Sequence, residues 1–230
     1  MPDITIQKSS RRSFLSAAAG SLVLPSTLAF ADEKEEKEED VSTNEDLMRE
    51  HGILKRVLIA YDEIIRRIRA GHDFPPEAVT DGATIIRKFI EEYHEKLEED
   101  HLFPRFRKAN KLVELVTVLN AQHQAGRRVT ERILAAARGS LKSADERNRL
   151  AQDLEAFNRM YSPHEAREDT VLFPALHKVV SPHEYDAMGE QFEKIERQTF
   201  GGDGFDIYVD KVSALEKRLG IYDLAKFTPA

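Results

Sequence analysis

Two copies of one short pattern carry the residue types best suited to chemistry. Residues 94–98 read HEKLE and precede LFP at 102–104, while residues 164–168 read HEARE and precede LFP at 172–174. On a helix, residues four apart share a face, so each His and Glu can direct an imidazole nitrogen and a carboxylate at one point. One such pair is typical of an exposed polar surface, but two copies in the same hydrophobic frame indicate metal ligands. The predicted ligands of the two copies are His94, Glu98, His164 and Glu168.

Four amphipathic helices must position these ligands. Apolar residues recur at steps of three and four over residues 47–68, 86–101, 112–137 and 150–175. Each helix carries one histidine on its apolar stripe, at His51, His94, His123 and His164. Short links between long helices predict an all-α fold, an up-down-up-down four-helix bundle over residues 43–180. Because proline lacks a backbone N–H, Pro104 is expected to stop or kink the second helix.

Residues 181–230 are predicted to form a C-terminal helical extension that packs on the bundle. Apolar side chains recur at helical spacing between Tyr185 and Ile195, and Pro182 stands near the first turn of this helix. A glycine-rich turn at 201–204 leads to a last helix. The turn lacks the lysine and the preceding strand of a phosphate-binding loop, so no nucleotide site is expected there.

Residues 1–31 are interpreted as an export signal peptide. Arg11 and Arg12 precede a short apolar run, and Ala29 and Ala31 form a small-x-small cleavage pattern. The paired arginines resemble the twin-arginine class of signal, with an ordinary secretory signal as the alternative. We therefore expect the twin-arginine export machinery as a partner, a periplasmic location and no stable membrane span in the mature protein. Residues 32–42 are mostly acidic and are interpreted as a solvated linker.

The composition excludes several other classes of function. The 230 residues, 41% of them hydrophobic, are enough to bury one sizeable core. The absence of cysteine excludes disulfides, thiolate metal sites and a cysteine nucleophile. A formal net charge of −7 argues against a nucleic-acid partner, since phosphate binding depends on a surplus of Lys and Arg.

The donor set indicates which metal the chain would bind. Burying a carboxylate without a partner costs several kcal/mol, and a bound cation removes that cost. Nitrogen and oxygen donors without sulfur suit two non-haem iron ions (Fe2+ or Fe3+) bridged by the two carboxylates, with manganese as the main competitor. Positions left open on such a pair of ions would accept a small molecule such as dioxygen, peroxide or nitric oxide.

These residues resemble the hemerythrin-like proteins with the HHE cation-binding domain. The resemblance covers about residues 51–174, and the tail from Gly202 to Tyr222 is similar to extensions on some members. It implies a di-iron four-helix bundle that binds oxygen or related molecules, with Glu98 and Glu168 bridging the ions. The chain departs from classical oxygen carriers at Arg127, where a second histidine is expected four residues after His123. Simple reversible oxygen carriage is therefore in question.

Several alternatives stay open at this point. A ferritin-like di-iron bundle needs Glu-x-x-His on two helices, but Tyr161 stands where the second helix would need Glu. His101 lies one turn beyond Glu98 and is a candidate fifth histidine ligand. Three functions fit the ligand set: a binding or sensing module, an enzyme that handles peroxide or nitric oxide, and an iron-storage or iron-delivery protein.

Overall fold

The computed structural model describes residues 41–229. The predicted export signal at 1–31 and nearly all of the predicted acidic linker at 32–42 lie outside the described residues. All of the described helices lie within one compact unit that begins at Ser42.

The described residues form helices and no strands, which confirms the predicted all-α class. The first helix, α1 (Thr43–Arg69), begins at Ser42, whose side chain accepts a hydrogen bond from the Glu45 amide at 3.3 Å. Helix α6 (Ala144–Arg167) begins at a full capping box formed by Ser143 and Glu146. The remaining α-helices are α2 (Glu77–Ile85), α3 (Glu95–Leu97), α4 (Phe103–Lys108), α5 (Val113–Ala137), α6 (Ala144–Arg167), α7 (Phe173–Leu176), α8 (Pro182–Phe200) and α9 (Gly204–Leu219).

Three π-helical stretches join some of these helices end to end. They are π1 (Ile86–His94), π2 (Glu98–Leu102) and π3 (Glu168–Leu172). Two of them begin at the glutamate of a sequence repeat and end one residue before its phenylalanine. A π turn widens the helix locally and is frequent at functional positions. The two sequence repeats therefore share a backbone distortion as well as a set of side chains.

The prediction that Pro104 stops or kinks the second helix is only partly right, since helical structure continues to Lys108. Pro104 stands in the first turn of α4, just after π2. A proline is tolerated at a first-turn position because its missing N–H has no helical partner there. Because π2 ends at Leu102 and α4 begins at Phe103, Pro104 lies in the first turn of an α-helix and not in its interior.

The described helices form a bundle with a continuous apolar core. Helix α1 packs along α6, and α5 packs against both α6 and α2. Fully buried side chains such as Val57, Phe89 and Phe157 fill the space between them. Helices α5 and α6 approach closely at Gly126, where a Cβ atom would overlap the hydroxyl of Tyr161. This close approach fixes the position of α6 beside the third ligand-bearing helix.

Helices α8 and α9 cover one side of this bundle. Helix α9 packs on α1 and α2, and α8 packs on α1. Aromatic side chains seal the contact: the Phe89 ring stacks on Tyr208 at 4.5 Å, and Tyr93 meets Phe200 edge to face at 5.1 Å. In the described part of the chain, every helix is too short or too polar to span a lipid bilayer.

Candidate metal centre

The six predicted ligands lie together in one buried cluster. Four continuous helical runs supply them: α1, the run from α2 to α4, α5, and the run from α6 to α7. None of the six is more than 4% exposed. They fall into two groups of three. Within each group, the candidate donor atoms lie within 4.8 Å of one another. The groups are His51, His94 and Glu98, and His123, His164 and Glu168.

The four histidines form two pairs that face each other through their Nε2 atoms. The Nε2 atoms of His51 and His94, the first histidine pair, are 3.0 Å apart. Those of His123 and His164, the second histidine pair, are 3.2 Å apart. Two ligands at right angles, each about 2.1 Å from an ion, would be separated by about 3.0 Å. Each pair therefore has the spacing of two nitrogens that share one cation.

Each predicted bridging glutamate lies between the two histidine pairs. The Oε2 atom of Glu98 is 4.0 Å from Nε2 of His94 and 3.3 Å from Nε2 of His123. The Oε2 atom of Glu168 is 3.1 Å from Nε2 of His164 and 3.4 Å from Nε2 of His51. A carboxylate that contacts one histidine of each pair stands where a bridge between two ions would be needed.

The glutamate oxygens provide the test of whether these residues fit a metal. Glu98 and Glu168 are both 0% exposed, and within the described residues none of their four carboxylate oxygens has a hydrogen-bond partner. A buried anion without such a partner costs several kcal/mol, so native proteins rarely keep one. Cations bound between the histidine pairs would satisfy all four oxygens. The donor set and its geometry therefore fit a dinuclear metal centre.

The Nδ1 atom of each of the four histidines is held by an oxygen. For the first pair, Nδ1 of His51 lies 2.7 Å from Asp169 and Nδ1 of His94 lies 2.6 Å from Glu50. Such outer hydrogen bonds fix the tautomer so that the Nε2 lone pair faces the ion, and they raise the basicity of the ring. The first histidine pair is thus held from outside by two carboxylates.

The second histidine pair is held in the same way, with one chemical difference. Nδ1 of His123 lies 3.2 Å from Glu99, and Nδ1 of His164 lies 2.9 Å from the amide oxygen of Gln122. Gln122 precedes His123 as Glu50 precedes His51. The two positions correspond, but one supplies a carboxylate and the other a neutral amide.

Sequence reasoning missed all four of these supporting residues, although a signal for them was present. An acid directly follows each bridging glutamate, as Glu99 and as Asp169, at the same position of both repeats. Glu50 is recognisable in the sequence only as the residue before His51, and Gln122 has no acidic counterpart to reveal it. The pairing across helices is a tertiary contact that spacing along the chain does not disclose.

The phenylalanines of the two LFP segments pack on the metal centre. The Phe103 ring stacks on His123 with centroids 5.5 Å apart, and the Phe173 ring stacks on His51 at 5.3 Å. Both phenylalanines are fully buried. The phenylalanine of each repeat therefore covers a histidine on another helix. This apolar contact excludes water from the histidine ring and limits its rotation.

The two histidines of the first pair differ in proton affinity. Burial by itself lowers the pKa of His51, but the hydrogen bond to Asp169 and the nearby charge of Glu168 raise it to about 10. Burial lowers the pKa of His94 to about 4, because the charges that oppose this effect are weaker. Protonated His51 can then donate to neutral His94 through the short Nε2 contact. Metal binding would release this proton.

The glutamates respond to the same cluster of charges. Burial raises the pKa of Glu98, and the charge of Glu168 raises it further. Burial also favours the neutral form of Glu168, but the neighbouring His164 and His51 hold its pKa below the usual range. Two buried acids this close therefore differ in proton affinity: Glu168 favours its anion and Glu98 favours its proton.

Arg127 lies behind the second histidine pair and pairs with acids outside the ligand set. Its guanidinium is 2.8 Å from Glu95 and 2.7 Å from Glu99, the carboxylate that holds His123. Glu95 also accepts a 2.6 Å hydrogen bond from the Tyr161 hydroxyl. The position of a classical fifth histidine is therefore occupied by an ion-pair network that supports the second pair from outside.

His101, the candidate fifth ligand, lies away from the cluster. Its ring is 5.4 Å from Phe192 of α8, and it belongs to neither ligand group. A π turn from Glu98 changes the direction of the side chains that follow it, so the simple helical spacing does not bring His101 to the other candidate ligands.

Comparison with known proteins places this centre in a family. The model of the hemerythrin HHE cation-binding domain matches residues 42–176, more than half of the chain. Uncharacterized proteins from Mycobacterium tuberculosis and Mycobacterium bovis are 49% identical over 217 residues, which is 94% of this chain and 85% of theirs. No solved structure matches the chain. The protein belongs to the hemerythrin HHE cation-binding domain family, and its His and Glu groups support a metal-binding, hemerythrin-like protein.

Proposed function

We propose that this protein is a periplasmic di-iron protein that binds or reacts with oxygen or a related small molecule. The proposal takes the four ligand-bearing helices as the up-down-up-down bundle predicted from the sequence. The observation that carries it is the convergence of four Nε2 atoms on two buried carboxylates whose oxygens have no other partner among the described residues.

The six ligands would hold two iron ions, one at each histidine pair. His51 and His94 would bind one ion, His123 and His164 the other, and the two glutamates would bridge them. Manganese would accept the same donors and is the main competitor. When bound, such a pair of ions supplies redox chemistry and open positions for a small ligand. The protein contributes a water-poor cavity and fixed imidazole orientations.

The defining experiment measures metal content and then ligand reactions. After desalting, the protein should retain about two irons per chain. Air, hydrogen peroxide and nitric oxide are then added separately to the anaerobic reduced protein, and the absorption spectrum is followed. A spectral change that reverses on removing the ligand indicates binding, whereas consumption of peroxide indicates an enzyme. Retention of no metal above trace levels would refute the proposal.

A second candidate function, peroxide decomposition, is favoured by the position of Arg127. Arginine remains protonated and cannot bind a metal, and here it is paired with Glu95 and Glu99. The ion nearest His123 would therefore keep a position that the fifth histidine fills in classical carriers. An exchangeable position favours reaction over a long-lived oxygen adduct. No comparable observation favours the iron-storage alternative.

The periplasmic location rests on Arg11 and Arg12, which a twin-arginine receptor would recognise. Replacing both with lysine should keep the protein in the cytoplasm with its signal attached. Cell fractionation and the mass of the purified chain measure this. Undiminished export of the double variant would exclude the twin-arginine route while leaving the metal centre untouched.

A further inference from the structure

A cleft on the surface between α5 and α6 leads to one side of the metal centre. Its volume is about 320 Å³, and its walls include Leu115, Val118 and Leu119 from α5. Pro163, His164 and Arg167 line it from α6, and Glu114 adds a carboxylate from α5. The cleft therefore joins solvent to a predicted metal ligand without crossing the apolar core.

The inner end of the cleft is formed by a hydrogen bond that belongs to the metal centre. Gln122 and His164 both line the cleft, and the Gln122 amide oxygen is 2.9 Å from Nδ1 of His164. Behind this bond, Nε2 of His164 lies 3.1 Å from the bridging carboxylate of Glu168. A molecule in the cleft is thus separated from the ligand set by one imidazole ring and one amide.

The corresponding position of the first pair is closed. Glu50, which matches Gln122, is 1% exposed, and its partner His94 is also 1% exposed. Helices α8 and α9 cover α1, which carries Glu50. Of the two corresponding positions, the one with the neutral amide is the one that lies at this cleft.

We propose that the α5–α6 cleft is the entry path by which a small uncharged molecule reaches the second histidine pair, with Gln122 as the positioning residue at its inner end. This inference rests on the proposed function and adds the side of entry and the class of ligand. Apolar side chains, Leu115, Val118 and Leu119 among them, make up the larger part of the lining, and Glu114 and Arg167 add one charge of each sign. A neutral molecule passes such apolar walls more readily than a charged one, because it gives up less hydration there. Nitric oxide, dioxygen and neutral hydrogen peroxide meet this requirement.

The amide at position 122 suits an entry path better than a carboxylate would. The amide fixes the His164 tautomer without adding a second carboxylate to the cleft beside Glu114. The outer hydrogen bond to His164 is also weaker than a charge-assisted one. The second pair is therefore both the more accessible and the less tightly supported pair.

Blocking the cleft tests this path. Val118 is 53% exposed, so Val118→Trp can fill the opening without disturbing the core. Its matched control is Ile59→Trp on α1, where the side chain is 38% exposed and does not line the cleft. The association rate of nitric oxide with the iron-loaded, reduced protein is measured by stopped flow. We expect about a tenfold decrease for Val118→Trp and no change for Ile59→Trp, at equal iron content.

A second measurement needs no metal. Diethyl pyrocarbonate modifies accessible imidazoles, and mass spectrometry of the metal-free protein reports which histidine reacts. His164 should react faster than His123, which is 0% exposed, and Val118→Trp should slow only the reaction of His164. Leu115→Phe, one turn earlier on the same wall, should have the same effect if the larger Trp perturbs the helix.

The two measurements separate failure of the path from failure of the proposed function. If the protein retains no iron, the di-iron proposal is wrong, and so is the proposal that a ligand of the iron enters through the cleft. If iron is retained and the nitric oxide rates of Val118→Trp and Ile59→Trp are equal, the cleft is not the entry path. Equal labelling of His164 in the two variants would overturn the path whatever the metal content.

Discussion

The two histidine pairs have the same ligands but different surroundings. The first pair, His51 and His94, is held by two carboxylates and lies on the side that α8 and α9 cover. The second pair, His123 and His164, is held by a carboxylate and an amide and borders a surface cleft. The repeated pattern supplies a near-symmetric metal centre, and the residues outside the pattern make its two sides unequal.

This difference indicates that the two histidine pairs have different roles. Carboxylate support and an apolar cover favour tight metal retention, because they raise ligand basicity and exclude water. An amide support beside a cleft favours access by a second molecule. We therefore expect the first pair to anchor the centre and the second pair to react, and variants of each side can break or sharpen this contrast.

Removal of a bridging glutamate should have the largest effect and should fall equally on both pairs. Glu98→Ala or Glu168→Ala removes a carboxylate that lies between the pairs and leaves buried imidazoles without their cation. We expect iron content to fall below one per chain and the unfolding free energy to decrease by roughly 3–5 kcal/mol. Metal analysis and thermal melting measure this.

The matched control for the bridging variants is Glu92→Ala, since Glu92 is exposed on the same run of helix and pairs with exposed Lys88. It should retain its metal and its melting temperature. A chelator should lower the melting temperature of the unmodified protein. If melting is indifferent to the chelator, the buried glutamates serve the fold alone and the metal interpretation is wrong.

Exchanging the two corresponding supports tests the asymmetry directly. Glu50→Gln should weaken metal retention by about 10- to 100-fold, because His94 loses a charged partner 2.6 Å away. Gln122→Glu should instead strengthen retention by the second pair, since it gives His164 the carboxylate that the other three histidines have. Competition with a coloured chelator measures both. Equal losses in the two variants would contradict the proposed difference in roles.

Replacing Arg127 by His tests whether the second pair is open to reaction. The variant supplies the fifth histidine of classical carriers, so the oxygen-bound form should live about tenfold longer and peroxide turnover should fall by a similar factor. Arg128→His, at an exposed neighbouring position, is the control. A native protein that forms a stable, reversible oxygen adduct and consumes no peroxide above free iron would favour a carrier instead.

The smallest expected effect concerns the covered side and depends on pH. Burial raises the pKa of Glu196 on α8 from 4.5 to about 7, and the charges of Asp203 and Glu50 add to the rise. The folded state then binds this proton more tightly than the unfolded state. The stabilisation that Glu196 contributes is therefore fully present below about pH 4.5 and is lost as pH rises through 7.

Glu196→Gln should remove this contribution. Between pH 4.5 and 7, the native protein should lose roughly 0.5–1 kcal/mol more unfolding free energy than the variant loses. The slope should not vanish, because burial also raises the pKa of Glu91 to about 7. Denaturant unfolding across this pH range measures the difference. Parallel slopes would show that Glu196 does not contribute to the pH dependence of stability.

Much of the metal centre was predictable because its ligands follow helix periodicity. The spacing of His94 with Glu98 and of His164 with Glu168 placed each pair on one helix face, and the structure brings them together with His51 and His123. The π turns were not predictable in this way. They depend on how each helix accommodates its neighbours, and periodicity assumes a regular α-helix throughout.

The sequence by itself determined the helical class, the six converging side chains and the kind of metal they favour, because these follow from residue type and local spacing. Only the tertiary structure decided which oxygen holds each imidazole, that Arg127 pairs with Glu95 and Glu99, and that His101 lies apart. Only packing showed that one pair is covered and the other borders a cleft. Those features join residues far apart in the chain, and their contacts arise from the packing of one helix on another rather than from the periodicity of either.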